Sequence, residues 1–280
     1  MAGPVRLTVV CENTVGRPLP LLGEHGFACL IDSPAGRLLF DTGRGLTLLH
    51  NLATLGIDPT SIDAVVLSHG HDDHGGGLLP LLQRIGPRPV FAHPGIFTER
   101  FFVKGEERRS IGLPVGKAAL EAAGARFRPL DECSEIAEGL WFSGQIPRIS
   151  PIEKGDPCLV REVPGADQMI ADPFEDDAAL AIDTPRGVVI LLGCAHAGLV
   201  NTVEHFGRHL ECRPLHAVIG GTHLGPVGEP QFLATADYLA SLDSVQIGLS
   251  HCTGQARGAL LFSRLPGRVF FAAAGSVLEF

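Results

Sequence analysis

The sequence predicts an α/β protein in which two β-sheets pack face to face and helices cover both outer faces. Two observations lead there. The 280 residues fall into two β-rich halves, each with helices attached, and no low-complexity linker separates them. Apolar residues make up 45% of the chain and charged ones 19%, which supplies a core large enough to bury such strands on both sides. A single domain over residues 1–280 is expected, and 35 glycines imply many sharp turns and close backbone approaches.

The elements follow in order. Short β-like runs occupy Val5–Cys11, Phe27–Asp32 and Arg37–Asp41, with Pro34-Ala35-Gly36 as a hairpin turn between the last two. A helix is expected over Leu46–Leu55, where Leu48, Leu49, Leu52 and Leu55 recur at three to four residues. Asp63–Ser68 reads as a buried strand and Gly76–Ile85 as a helix entered through glycine, while Phe97–Leu113, rich in Arg, Glu and Gly, reads as an excursion over the surface. The second half repeats the pattern. Strands are expected at Arg126–Leu130, Gly139–Ser143, Ala178–Asp183 and Val188–Leu192. A helix over Gly198–Leu210 carries the stripe Leu199, Val203, Phe206 and Leu210. The strand Leu215–Ile219, the helix Pro230–Leu242, the strand Val245–Leu249 and a last helix with strands complete the chain.

Charge and cysteine usage exclude several functional classes. A formal net charge of -9 argues against nucleic acid as a partner, since a general binder would show a basic face. Seven scattered cysteines without a CxxC pair do not suggest a disulfide framework, so a reduced, cytoplasmic location is expected. The first ten residues lack the basic start and long apolar core of a signal peptide, and no run is long enough to span a bilayer, so no membrane partner is expected.

Chemistry is concentrated in His69-Gly70-His71-Asp72-Asp73-His74, directly after an apolar run and directly before three glycines. In an extended segment residues i and i+2 point the same way, so the rings of His69 and His71 can reach one ion. Asp73 and His74 come as the chain turns toward the next helix and can serve a second ion close by. Imidazole nitrogen and carboxylate oxygen suit zinc, manganese or iron. His196, His223 and His251 each follow a predicted strand and precede a glycine and a helix, and such positions converge at one edge of a layered α/β protein. One histidine after a strand is more often structural or solvated. Four strand-end sites, one of them the packed hexapeptide, point instead to a metal site. His205 and His209, spaced i and i+4, imitate a zinc pair but fall off the apolar stripe of their helix, and are expected to be exposed.

The chain resembles the metallo-β-lactamase superfamily through HxHxDH, the later segment Gly193-Cys194-Ala195-His196-Ala197-Gly198 and His251-Cys252-Thr253-Gly254. Within it the similarity is greatest to the dihydropterin ribofuranosylaminobenzene phosphate synthase branch. Glu12-Asn13-Thr14, Glu24-His25-Gly26, Phe40-Asp41-Thr42-Gly43 and the acidic run from Asp172 to Asp177 carry that similarity. The resemblance implies a four-layer αββα sandwich with two divalent metal ions, zinc foremost and manganese or iron as alternatives, at one edge. It implies that His69, His71 and His196 hold the first ion, that Asp73, His74 and His251 hold the second, and that Asp41 supports the metal loop by hydrogen bonding. Most dinuclear members supply a bridging aspartate roughly 20–30 residues after the third-motif histidine, with the ligand logic of a two-metal site. Here Gly-Gly-Thr-His stands there, so His223 takes that place as a ligand, a proton donor or a substrate-binding group.

The implied chemistry is attack by an activated water on an ester, lactone or phosphate centre of a small, anionic, phosphorylated or pterin-like substrate. Asp73 would orient the nucleophile and His223 would protonate the leaving group. Lys104, Arg108 and Arg109 form a basic cluster in an acidic protein, suited either to a phosphate or to pairing with Glu106 and Glu107 in solvent. Asn13, His25 and Asp177 are substrate-binding candidates through the resemblance alone. His93 lines the pocket or caps a turn, and Cys194 and Cys252 read as buried packing. A non-catalytic phosphate- or nucleotide-binding sensor is the competing reading, and homodimerisation is left open.

Overall fold

The computed structural model describes residues 3–163, 165, 168–210 and 213–280. Two seven-stranded sheets dominate it. The first runs, edge to edge, through Val277–Glu279, Arg6–Cys11, Ala28–Ser33, Gly36–Phe40, Ala64–Val66, Arg88–Ala92 and Ala125–Pro129. The second runs through Val269–Phe271, Gln246–Ser250, Leu215–Gly221, Gly187–Leu192, Ala179–Thr184, Leu140–Phe142 and Ser134–Ala137.

Three apolar layers produce the sandwich. Between the sheets, Leu7, Val9, Ile31 and Phe40 of the first meet Phe142, Leu180, Leu191 and Ile219 of the second. On the outer face of the first sheet, Leu30, Leu39 and Val65 pack under the helices Leu48–Thr54, Leu78–Ile85 and Lys117–Ala122. On the outer face of the second, Ile190, Val218 and Ile247 pack under Leu199–His209, Glu229–Ser241 and Gln255–Arg264. The architecture is therefore αββα. Strands buried on both faces need no polar alternation, which is why they read as continuous apolar runs.

Parallel pairing positions the site. Gly36–Phe40, Ala64–Val66 and Arg88–Ala92 run parallel in the first sheet, as do Gly187–Leu192, Leu215–Gly221 and Gln246–Ser250 in the second. Their C-terminal ends bring the hexapeptide, His196, His223 and His251 to one edge. Ser33 pairs with Gly36 across the expected hairpin turn, where Gly36 takes φ +127°, a value open to glycine.

The structure corrects the expectation of a surface excursion over Phe97–Leu113. Arg100–Lys104 and Glu107–Ser110 form a hairpin in a third, four-stranded sheet with Leu159–Glu162 and Met169–Ala171. Charged residues on its exposed face mask the strand pattern. Arg108 and Arg109 lie over the rings of Phe101 and Phe102 at 4.3 and 5.0 Å, so their own stems complete the packing. The helix expected over Gly76–Ile85 begins at Leu78, after a separate helical turn, Asp72–Gly75, that belongs to the hexapeptide.

Candidate metal centre

His69 leaves the first sheet through Gly70, where a β-carbon would meet the Ile96 carbonyl oxygen at 1.9 Å, so only glycine permits the crossing. His71 is extended (φ -98°, ψ 152°) and caps the turn that carries Asp73 and His74. The alternation of side chains brings the His69 and His71 rings together, with centroids 4.5 Å apart. His196 reaches them from the second sheet, 4.8 and 4.9 Å away. The Nε2 atoms of all three are buried and without a hydrogen-bond partner. Burial holds all three imidazoles well below the usual histidine range, so they are neutral and offer lone pairs. Three desolvated, unpartnered nitrogens on adjacent rings are costly unless something binds them, and imidazole donors of this kind suit a divalent ion.

A second cluster adjoins the first. His74 Nε2 lies 3.3 Å from His251 Nε2, and Asp73 Oδ2 lies 3.4 Å from that same nitrogen. His25 Nε2 approaches Asp73 Oδ2 at 3.2 Å. Asn13 accepts from His251 Nδ1 at 2.9 Å through its side-chain oxygen and meets His25 Nδ1 at 3.3 Å through its amide nitrogen. Burial alone would raise the Asp73 carboxyl, but His74, His25 and His251 hold it well below the usual carboxylate range. Burial likewise opposes charge on His74, yet Asp41 and Asp73 outweigh it and push the imidazole up to about 9. Asn13 and His25 thus converge on the second cluster.

Cys194 stands between the clusters. Its Sγ falls within 4.8 Å of donor atoms of His69 and His196, and of those of His74 and His251. Cys252, whose Sγ accepts from His223 N at 3.2 Å, completes a further group with Cys194 and His223. Burial pushes the Cys194 thiol well up. The expectation that Cys194 merely packs is therefore too narrow, for it occupies the middle of the constellation. His223 lies tilted against His196, centroids 4.3 Å apart, with Nε2 3.7 Å from Asp156 Oδ2. Burial opposes its charge, but the neighbouring Asp156 carboxylate and Cys252 thiol push it up to about 9.

Strain concentrates here. Among the described residues six non-glycines have positive φ, and Asp41, Phe174, Ala195, His223 and His251 are five of them, the other being Ser244. Such backbone persists only where surrounding contacts over-determine it. Asp41 accepts from Ser68 N, Ser68 Oγ and His74 Nδ1, each at 2.7 Å. Glu12 accepts from His251 N at 2.6 Å. Glu24 accepts from Arg44 N, Leu46 N and Thr47 N in the loop after Asp41. Phe174 stacks on His196 at 4.1 Å, nearly parallel, and Arg100 lies 5.7 Å from its centroid. The Arg100 guanidinium is buried between Asp172 and Asp176, and Asp176 also accepts from Gly70 N at 2.9 Å.

Other expected residues lie elsewhere. Asp177 is buried behind the His196 loop, where it accepts from Ala197 N at 2.7 Å and burial pushes its carboxyl up to about 7. Lys104, Arg108 and Arg109 are exposed on the hairpin of the third sheet. Arg108 pairs with Glu162 and Arg109 with Glu107. His93 caps the turn Pro94–Phe97 by accepting from Gly95 N. The expectation that His205 is exposed is overturned, because it is 4% exposed and faces Ser143 at the edge of the second sheet. Sequence reasoning passed over Arg100, Glu153, Asp156 and Asp176. The acidic run from Asp172 to Asp177 was the available signal for Asp176, but nothing in the sequence pairs it with Arg100.

Two cavities flank the centre. One of about 550 Å³ is lined by Asn13, His251, Thr253, Gln255 and Phe271. The other, of about 450 Å³, is lined by Ile152, Lys154, Asp156, Val227 and Gln231.

The αββα layers and the histidine-rich edge define a class, and comparison with known proteins agrees. Residues 22–200 match the model of the metallo-β-lactamase superfamily, and the chain belongs to that superfamily. It is 31% identical over 259 residues, 89% of this chain and 88% of the other, to 7,8-dihydropterin-6-methyl-4-(β-D-ribofuranosyl)-aminobenzene-5'-phosphate synthase of Methanocaldococcus jannaschii. The crystal structure of Tm1679, described as a metal-dependent hydrolase of the β-lactamase superfamily, superposes with a TM-score of 0.83 at 27% identity over 99% of both chains. Zinc-bound PqqB from Methylobacterium extorquens shares the fold, with a TM-score of 0.55 at 14% identity over 98% of this chain and 100% of that one. No helix among the described residues is long and apolar enough to cross a membrane.

Proposed function

We propose that this protein is a metal-dependent enzyme that directs an activated water at an ester, lactone or phosphate centre of a small anionic substrate. The observation that carries the reading is the trio of buried, unpartnered Nε2 atoms on His69, His71 and His196 beside a second donor set. His69, His71 and His196 would hold one divalent ion and Asp73, His74 and His251 another, zinc fitting this nitrogen-rich set best with manganese or iron as alternatives. Ions bound there would polarise the substrate oxygen and lower the pKa of a coordinated water.

The chain's own groups complete the chemistry. Asp73, kept ionised by three imidazoles, orients the attacking water as well as holding the second ion. His223 lies against His196 with the Asp156 carboxylate 3.7 Å from its Nε2, and donates a proton to the leaving group. His25 and Asn13 contact the substrate at the exposed rim of the second cluster. Lys154, on the cavity wall with Asp156, offers an anionic group a cationic partner, whereas Arg108 and Arg109 are paired with Glu162 and Glu107.

The Methanocaldococcus relative's name, which describes a phosphorylated pterin conjugate, supports a phosphorylated or pterin-like substrate and keeps a synthase reaction beside hydrolysis. The Tm1679 description supports metal-dependent hydrolysis. Elemental analysis of the purified protein, with assays on phosphodiesters, lactones and dihydropterin phosphates, tests the reading. The expected result is about two equivalents of metal held at this edge of the sandwich and turnover that chelation abolishes. Metal-free protein with undiminished turnover would overturn it. One observation favours a non-catalytic sensor: a neutral thiol, Cys194, rather than a carboxylate stands between the clusters. Tight nucleotide binding without turnover of any substrate in the panel would select that reading.

A further inference from the structure

A second histidine cluster lies away from this edge, at the C-terminal end of the helix Leu199–His209. From Leu199, three residues after His196, to His205 is six residues, roughly 9 Å of helical rise. One donor atom from each of Cys133, His205 and His209 lies within 4.8 Å of the other two. His205 and His209 are one turn apart on one helical face, with ring centroids 4.3 Å apart, the spacing that lets two imidazoles share an ion. Cys133 comes from the neighbouring edge of the second sheet, just before the strand Ser134–Ala137.

The hydrogen bonding of the two rings is the decisive detail. His205 donates Nε2–H to the Ser143 carbonyl at 3.0 Å, and its buried Nδ1 has no partner. His209 donates Nδ1–H to the His205 carbonyl at 2.9 Å, which leaves its Nε2 uncommitted. Each ring therefore spends its proton on a main-chain carbonyl and keeps one lone pair. That arrangement fixes tautomer and orientation in metal-binding histidines. Burial also lowers the His205 imidazole, which keeps it neutral, and pushes the Cys133 thiol up to about 11, so an arriving cation would displace a proton from sulfur.

We propose that Cys133, His205 and His209 form a separate binding site for a thiophilic divalent cation, zinc by preference, with a fourth position open to water. Its occupant would clip the segment before Ser134 to the helix whose opposite end begins beside His196. The site is independent of the candidate metal centre and takes no part in the reaction.

Cobalt(II) titration of the metal-stripped, full-length protein tests this. Wild type should take up one equivalent more than Cys133→Ser or His209→Ala. It should also show a thiolate-to-cobalt charge-transfer absorption that both variants lose and His71→Ala retains. His209 is exposed, so its replacement leaves the fold intact, and circular dichroism of the metal-free variants verifies this. Uptake and spectrum unchanged from wild type in either variant would overturn the proposal. So would an absorption lost in His71→Ala and kept in Cys133→Ser, because the thiolate would then be Cys194 or Cys252.

Discussion

Asp41 Oδ2 and His74 Nδ1 lie 2.7 Å apart with neither side chain exposed to solvent. The pair joins the end of one strand to the hexapeptide and aims His74 Nε2 at the second cluster. Asp41→Asn keeps the shape, and asparagine tolerates the φ of +60° at this position. It weakens the acceptor that orients the ring. Metal affinity should fall by roughly 10–100-fold, read by competition with a chromophoric chelator, while the near-ultraviolet circular dichroism stays native.

His71→Ala removes one of the buried, unpartnered Nε2 atoms of the His69, His71 and His196 trio. The ion held with His69 and His196 and the turnover should be lost together, read as less metal than wild type by elemental analysis and as lost activity on one preparation. Full activity in this variant would exclude the two-ion reading.

His223→Ala separates a proton donor from a ligand. As a donor, its loss should lower kcat by about 10²–10⁴-fold and leave metal stoichiometry unchanged. Loss of one metal equivalent would make His223 a ligand.

Arg100 is the only arginine among the buried polar and charged residues described, and it neutralises Asp172 and Asp176. Arg100→Met strands two carboxylates in the interior and should cost about 3–5 kcal/mol, measured by urea unfolding. Because Phe174 lies between Arg100 and His196, metal affinity should fall as well.

Glu153 caps the helix after His196, accepting from Val200 N and Asn201 N at 2.8 Å each. Glu153→Ala should cost about 0.5–2 kcal/mol in thermal or urea unfolding. The slope of the urea transition should stay unchanged.

The layers and the gathering of the histidines at one edge were legible in the sequence because their signals are local. Strands buried on both faces leave apolar runs, and parallel strands carry their terminal histidines to a shared edge. The hexapeptide holds four donors within six residues. What stayed hidden depends on partners distant in sequence. Arg100 sits in a stretch whose composition reads as surface, yet carboxylates 72 and 76 residues away bury it. His205 lies off its helix's apolar stripe, but Ser143 of the adjoining sheet covers it. Cys194 became central only when four histidines from three segments closed around it.

The hydrogen bond from His251 N to Glu12 spans 239 residues, and the last strand of the chain pairs with the first. Assembly therefore has an order in time. His69, His71 and His196 have all left the ribosome 55 residues before His251 does. The second donor set cannot close until almost the whole chain is released and its end docks on its beginning. During synthesis the first position becomes fillable before the second, so a nascent chain arrested near residue 250 should fill the first position of this edge and leave the second empty.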